Sequence, residues 1–412
     1  MIAILPALLP DCSTDWLRDT DMGALPTLFF ICVIDVLGFG IMVPLLPYMA
    51  DRYGATPALI TPILGVYSLC QLLANPLLGR LSDRYGRRPV LMASMAVGAM
   101  SYLMLGMATS IGWLIAARAL NGLMAGSIVT VMAYATDISL PQNRARTLGM
   151  MGAAIGIGFM LGPAIGGMLA GDDEHTANFM RPALLAASLA LVALTLVATR
   201  LPESLSAAQR VAHASERRHS NPVQLLRAKP GLRWLVLAGV LVTFAQATLE
   251  SIYAVWAMNR FSAGPRTIGF SLLALALVAV SMQGGFVRRL VPRFGEYRVA
   301  LAAIVSYAAG FVVVAMGASL GSAIGGLVLI GAGAGAFNPC GSALASRQAE
   351  AGNRGAVMGV YQAGASLARV LGPLSAGTIY SRWGHGAPYL VASGVILQAI
   401  WCIIAAREHP GN

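Results

Sequence analysis

Four ionisable residues interrupt stretches that are otherwise apolar: Asp35, Arg118, Glu250 and Arg369. A lone charge at the centre of a membrane helix costs about 2.5–3.5 kcal/mol on insertion scales, so such groups face water or a partner. Two acids and two arginines sum to zero when both acids are ionised, which permits internal pairing. Protonating either acid breaks that balance, and a proton can thereby shift an equilibrium between two conformations.

Asp35 lies in VIDVLGFGIMVPLLP, ahead of Gly38, Gly40, Pro44 and Pro47, which loosen the backbone. Two readings stay open for it: a carboxyl that loads a proton from water and releases it near Arg118, or a static ion pair with arginine. Glu250 has Gln246 one turn before it and Tyr253 about one turn after it, on a shared helix face. It is read as a second proton or cation site, or as a structural partner of Arg369. Arg369 shares a face with Gln362 and Ser366 and stays cationic at any relevant pH. It suits an organic anion, and equally an ion pair with Glu250 or Asp35. Further candidates for lining a substrate pocket are Tyr67, Gln71, Asn121, Phe244, Trp256, Asn338 and Tyr361.

The elements that must carry these residues are set by composition. Hydrophobic residues make up 57% of the 412 and charged residues 11%, against about 45–50% and about 25% in soluble domains. A bilayer core roughly 30 Å thick needs about 20 apolar residues per helix. Twelve such runs are predicted, at 26–50, 59–79, 90–108, 111–137, 147–170, 181–199, 234–258, 267–287, 299–317, 320–345, 355–380 and 387–406. Membrane strands are not expected, because no ten-residue alternating pattern recurs. The fold class is therefore all-α, with a six-helix bundle at 26–199 and another at 234–406. The stretch 200–233 is polar and basic, and is read as a linker; 407–412 is a short tail.

With both termini placed on the cytoplasmic side, the inner loops and tails hold 21 of the 28 basic residues and the outer loops five; Arg118 and Arg369 are the remaining two. That asymmetry is the positive-inside bias, so the net charge of +11 reports orientation rather than nucleic-acid binding. Residues 1–25 are read as a disordered cytoplasmic tail without a cleaved signal, and Met22 is an alternative start. Cys12, Cys32, Cys70, Cys340 and Cys402 show no metal spacing, and all five histidines fall in loops or tails.

Three patterns join the charges to the helices. Gly79 to Leu91 reads GRLSDRYGRRPVL between two membrane-length runs, and a fainter copy lies in Gly285 to Leu301. Gly158, Gly162, Pro163, Gly166 and Gly167 form G-x-x-x-G-P-x-x-G-G, a smooth helix face bent by proline; Gly372, Pro373 and Gly377 repeat it. Arg118, Gly122 and Gly126 share the fourth run.

On these motifs the chain resembles a major facilitator superfamily transporter, and the tetracycline and multidrug proton antiporter branch in particular. Gly79, Leu81, Asp83, Arg84, Gly86, Arg87, Arg88 and Leu91 meet the family's loop signature. The resemblance implies that Asp83 and the arginines latch the two halves at the cytoplasmic face, with Asp83 placed to cap a helix N-terminus. It implies that the Gly158–Gly167 run is the antiporter motif, and that Arg118, Gly122 and Gly126 form a proton-linked signature. It also supports Asp35 as a proton carrier. Tetracycline pumps generally have an amide where Glu250 stands and a helix 8 histidine where this chain has Ala279, so a tetracycline-specific reading is weakened.

The expected protein is an inner-membrane antiporter, monomeric and without a cofactor, that exports amphipathic organic compounds against protons. Asp35, Glu250 and Arg118 would couple protons. Arg369, Gln71, Tyr67, Gln246, Tyr253, Trp256, Asn338, Tyr361 and Gln362 would meet substrate. The alternatives are an importer of organic anions, a non-transporting receptor and a membrane-embedded enzyme.

Overall fold

The computed structural model describes residues 24–140, 142–173, 176–205, 225–227, 229–349 and 354–408. The tail up to residue 23, the Met22 question and most of the linker, including 206–224, lie outside them. The described residues form twelve long helices: α1 (Ala24–Arg52), α2 (Pro57–Tyr85), α3 (Arg87–Gly106), α4 (Ile111–Asp137), α5 (Arg144–Ala170), α6 (Met180–Arg200), α7 (Pro230–Phe261), α8 (Pro265–Phe294), α9 (Glu296–Met316), α10 (Leu320–Arg347), α11 (Arg354–Trp383) and α12 (Ala387–Glu408). Eleven are long and apolar enough to cross a membrane. The exception is α11, which carries Arg369 together with Gln362, Ser366 and Ser375.

Local chemistry sets the interruptions. Pro44 converts α1 to a 3-10 turn over Val43–Leu45, and α4 breaks between Leu123 and Ser127, next to Gly122 and Gly126. Pro57, Pro230 and Pro265 each open a helix, where the missing N–H is not needed. A π-helical turn occupies Met282–Phe286 of α8, around Gly284 and Gly285.

The first six helices pack as one bundle and the last six as another, and two seams join them: α5 against α8, and α2 against α11. The glycine motif builds the first seam. A Cβ at Gly158 would stand 2.7 Å from Val36 Cβ, and one at Gly162 would stand 2.7 Å from Gly40 Cα, so these glycines let α5 lie directly on α1. At the end of the motif the partner changes: Gly167 faces the Pro265 carbonyl of α8, and Gly269 of α8 faces the Pro163 carbonyl. Around Pro163, α5 therefore touches both halves: Gly162 and Gly166 lie on α1, and Pro163 and Gly167 on α8.

The second seam repeats the first. Gly372 and Gly377 stand 210 residues after Gly162 and Gly167. A Cβ at Gly372 would stand 2.8 Å from Ala247 Cβ in the same half, while Gly377 faces Thr61 and the Pro57 carbonyl of α2. Gly377 N–H also donates to Thr61 Oγ1 at 3.0 Å.

Other bonds between the halves lie at this same end, away from the Gly79–Leu91 loop. Arg266 pairs with Asp172 at 3.0 Å, Arg266 N–H donates to the Gly171 carbonyl at 3.2 Å, and Tyr48 OH donates to the Ala263 carbonyl at 2.5 Å. Towards the loop end, a Cβ at Gly79, Gly149, Gly152, Gly284, Gly285, Gly355 or Gly359 would meet nothing within 4 Å. Among the described residues, the halves are joined at the end far from the loop signature and parted at the signature end.

Candidate transport site

At the signature end, Arg87 is the hub. Its guanidinium meets Asp83 Oδ1 at 2.7 Å and Asp137 Oδ2 at 3.0 Å, and donates to Ser82 Oγ at 2.6 Å. The α3 N-terminus is capped by the Glu203 carboxylate, which accepts from the backbone N–H of Arg87 at 2.8 Å and of Arg88 at 3.2 Å. Glu203 had been placed in the linker. Residues 201–205 instead fold back on the bundle, with Leu201 and Leu205 buried and the Pro202 carbonyl accepting from Tyr134 OH. Gly86 is required twice here, because its φ is +108° and a Cβ would stand 2.6 Å from Glu203 Cδ. Arg84 is exposed, and its guanidinium lies 5.4 Å from the Tyr85 ring centre.

The second half carries the same bridge with its signs exchanged. Glu296, the first residue of α9, pairs with Arg347 at the end of α10 at 2.9 Å, as Arg87 at the start of α3 pairs with Asp137 at the end of α4. Cross-bracing of two helix ends is common to both halves, while the supporting acids Asp83 and Glu203 belong to the first.

The four intramembrane charges do not form the ion pairs that their zero sum allows. Asp35 Oδ2 accepts from Ser127 Oγ at 2.7 Å. Arg118 is 2% exposed and lies over the rings of Tyr67 at 4.6 Å and Phe39 at 5.5 Å, a cation–π stack rather than a salt bridge. Its Nε and Nη1 atoms are buried without a hydrogen-bond partner. The break in α4 lets one helix send Ser127 to Asp35 and Arg118 to the aromatic pair. Glu250 Oε1 accepts from Gln246 Nε2 at 2.9 Å. Among the described residues, neither Glu250 nor Arg369 has an opposite charge within 4.0 Å, yet both are solvent-accessible. Arg369 stands on α11 one turn before Pro373, and Tyr67 stands on α2 two residues after Gly65, which meets Pro373 across the second seam.

The remaining candidates divide. Gln71 donates to Tyr67 OH at 3.3 Å, and Gln362 and Asn338 are exposed. Asn121 is buried and donates to Ser101 Oγ at 2.8 Å. Tyr361 is a wedge, its ring filling the space left by Gly239 and Gly341. Tyr253 and Trp256 do not line the opening: both are 1% exposed, and Trp256 packs edge-on to Phe261 and Tyr389. They lie on the part of α7 that the closed end encloses on every side. Sequence reasoning missed Phe39, whose ring lies 4.7 Å from that of Tyr67 and 5.9 Å from that of Phe159. Its only signal was its position one helical turn beyond Asp35. No group of three His, Cys, Asp or Glu side chains among the described residues is arranged to hold a metal ion.

Comparison with known proteins agrees with this geometry. The family model described as Major Facilitator Superfamily matches residues 28–295 and 235–412. The chain belongs to the Major Facilitator Superfamily. It is thus a multi-pass membrane transporter and not an enzyme. Among superfamily members, it is 29% identical over 410 residues to the class C tetracycline resistance protein of Escherichia coli, covering 94% of this chain and 97% of that one. It is 30% identical over 366 residues to the class G tetracycline resistance protein of Vibrio anguillarum, covering 84% and 88%. The crystal structure of the human organic anion transporter MFSD10 (TETRAN) superposes with a TM-score of 0.71 at 24% identity, covering 93% of this chain and 99% of that one.

Proposed function

We propose that this superfamily member is a proton-coupled antiporter that exports amphipathic organic compounds across the inner membrane by alternating access. One observation carries the reading: a carboxylate and a guanidinium, Glu250 and Arg369, lie accessible and without an ion pair between two halves that are sealed at one end. An unpaired charge at that depth is retained where a solute or water must meet it. Asp35, held by a neutral hydroxyl rather than by Arg118, can exchange a proton without first breaking a salt bridge. Asp35 is the proton carrier in this reading, and Glu250 the second proton or cation site. Placing the basic signature end in the cytoplasm makes the present state inward-facing, with both termini inside. Gly79, which faces open space here, then becomes a surface on which the second half closes.

A proton entering down about 100 mV contributes about 2.3 kcal/mol, and each unit of pH difference adds about 1.4 kcal/mol. That sustains a concentration gradient of several tens to hundreds-fold for a neutral solute. No cofactor is required, and a monomer suffices because both seams lie within one chain.

The second reading, a transporter of organic anions working inward, rests on Arg369 and on the similarity to the organic anion transporter. Reconstitution into liposomes under an imposed pH gradient decides between them. Internal pH is followed while lipophilic cations, tetracyclines or amphipathic carboxylates are added. Compound-evoked proton movement that Asp35→Asn abolishes is the expected result; solute flux without proton movement refutes the antiport reading.

A further inference from the structure

The two accessible charges have opposite sign and stand on packed helices: Gly372 of α11 lies against Ala247 and Thr248 of α7, which puts Arg369 and Glu250 each within about one turn of that contact, with no ion pair between them. We propose that Arg369 and Glu250 together form a seat for an amphoteric substrate, whose carboxylate meets Arg369 and whose ammonium meets Glu250. This rests on the transport reading above and takes Glu250 there as a cation site, whose cation is the ammonium of the substrate.

A bare anion at Arg369 is repelled by ionised Glu250, and a bare cation at Glu250 is repelled by Arg369. A solute that presents both charges is attracted at each end and leaves neither protein charge uncompensated. The two residues project from different helices, α11 and α7, so they are held apart by the fold rather than by their own contact. Gln246 occupies Oε1 of Glu250 and orients the carboxylate. Tyr67, on the α2 face that meets α11 at Gly65 and Pro373, continues into the Phe39 ring, a flat apolar wall for the body of the solute. Arg118 behind those rings adds positive charge to the same wall and reinforces the carboxylate end. Asp35 is engaged by Ser127 and stays outside the seat.

The test uses the full chain in detergent and a matched set of aromatic probes. These are fluoroquinolones carrying both carboxylate and piperazinium, their N-acetylated forms (anions only), their methyl esters (cations only) and the doubly blocked neutral forms. Binding is read by tryptophan fluorescence and confirmed by equilibrium dialysis at fixed pH. The zwitterions are expected to bind at least tenfold more tightly than either singly charged form. Glu250→Gln should erase the preference over the anions alone, and Arg369→Gln the preference over the cations alone. Arg369→Lys should restore part of the latter, and monodisperse elution shows that each variant is folded. A screen in which no zwitterion binds, or in which zwitterion and singly charged forms bind alike, overturns the proposal. So does a Glu250→Gln variant that keeps the full zwitterion preference. Loss of proton movement in liposomes with the charge preference intact would refute the antiport reading and leave this seat standing.

Discussion

Ser127 donates to Asp35 at 2.7 Å, while Arg118, nine residues earlier on the same helix, stacks on Tyr67 instead of pairing with that carboxylate. Acid and arginine are thereby separated in this structure, and the acid is left with a partner that accommodates either protonation state. Asp35→Asn is expected to reach the membrane folded and to lose compound-evoked proton movement, while Ser127→Ala weakens coupling without abolishing it. Internal-pH traces in liposomes check both; normal coupling in Asp35→Asn refutes the assignment.

The stack itself predicts that charge alone is not sufficient at position 118. Arg118→Lys keeps the cation but loses the planar face over Tyr67 and Phe39. Transport is expected to fall at least tenfold with expression retained. Wild-type rates in the lysine variant would show that the guanidinium geometry is unimportant.

The two cross-braces predict unequal consequences for equivalent changes. The Arg87 side chain is 7% exposed with two carboxylate partners, whereas that of Arg347 is 68% exposed with one. Breaking the first removes a buried guanidinium from two partly exposed carboxylates, a loss below that of a fully buried pair, which is about 3–5 kcal/mol. Breaking the second is worth about 0–1 kcal/mol. Thermal unfolding in detergent should show a large drop for Arg87→Ala and little change for Arg347→Ala.

Gly86→Ala combines a forbidden backbone conformation with a collision at Glu203. The strain contributes about 1–3 kcal/mol, and displacing the Glu203 cap about 1 kcal/mol more. Gly86→Ala with Glu203→Ala should unfold no earlier than Gly86→Ala by itself, because the cap is already lost. Additive losses would show that the two act separately.

At the closed end, Gly167→Leu or Gly377→Leu is expected to hold the seams apart. Labelling of Ala263→Cys by a membrane-impermeant maleimide, with the native cysteines replaced by serine, should rise severalfold. Asp172→Asn should change it little, because Asp172 and Arg266 are both more than half exposed.

What could be read from the sequence was what a single helix encodes. The glycine spacing of α5, its echo in α11, the four intramembrane charges and the α4 signature are local patterns, and the twelve helices follow from runs of apolar residues. Contacts between distant segments were harder. Glu203 caps α3 across 116 residues from a stretch whose polarity reads as linker. Tyr253 lies on the same side of α7 as Glu250, but enclosure by α12 and the sealed end turns that side into core. Phe39 could not be told from a lipid-facing aromatic until Arg118 was seen above it and Tyr67. The pairing among charges was undetermined because charge balance constrains their number and not their distances.

The seams between the halves are bare backbone resting on bare backbone: Gly167 on the Pro265 carbonyl, Gly269 on the Pro163 carbonyl, Gly377 on the Pro57 carbonyl. Such surfaces have few side chains to disengage, so they behave as a bearing and not as a bolt. The bearing is duplicated, because Gly372 and Gly377 repeat Gly162 and Gly167 at an interval of 210 residues. A bulky residue acquired in either half should therefore be relieved most readily by a change at the corresponding position of its twin.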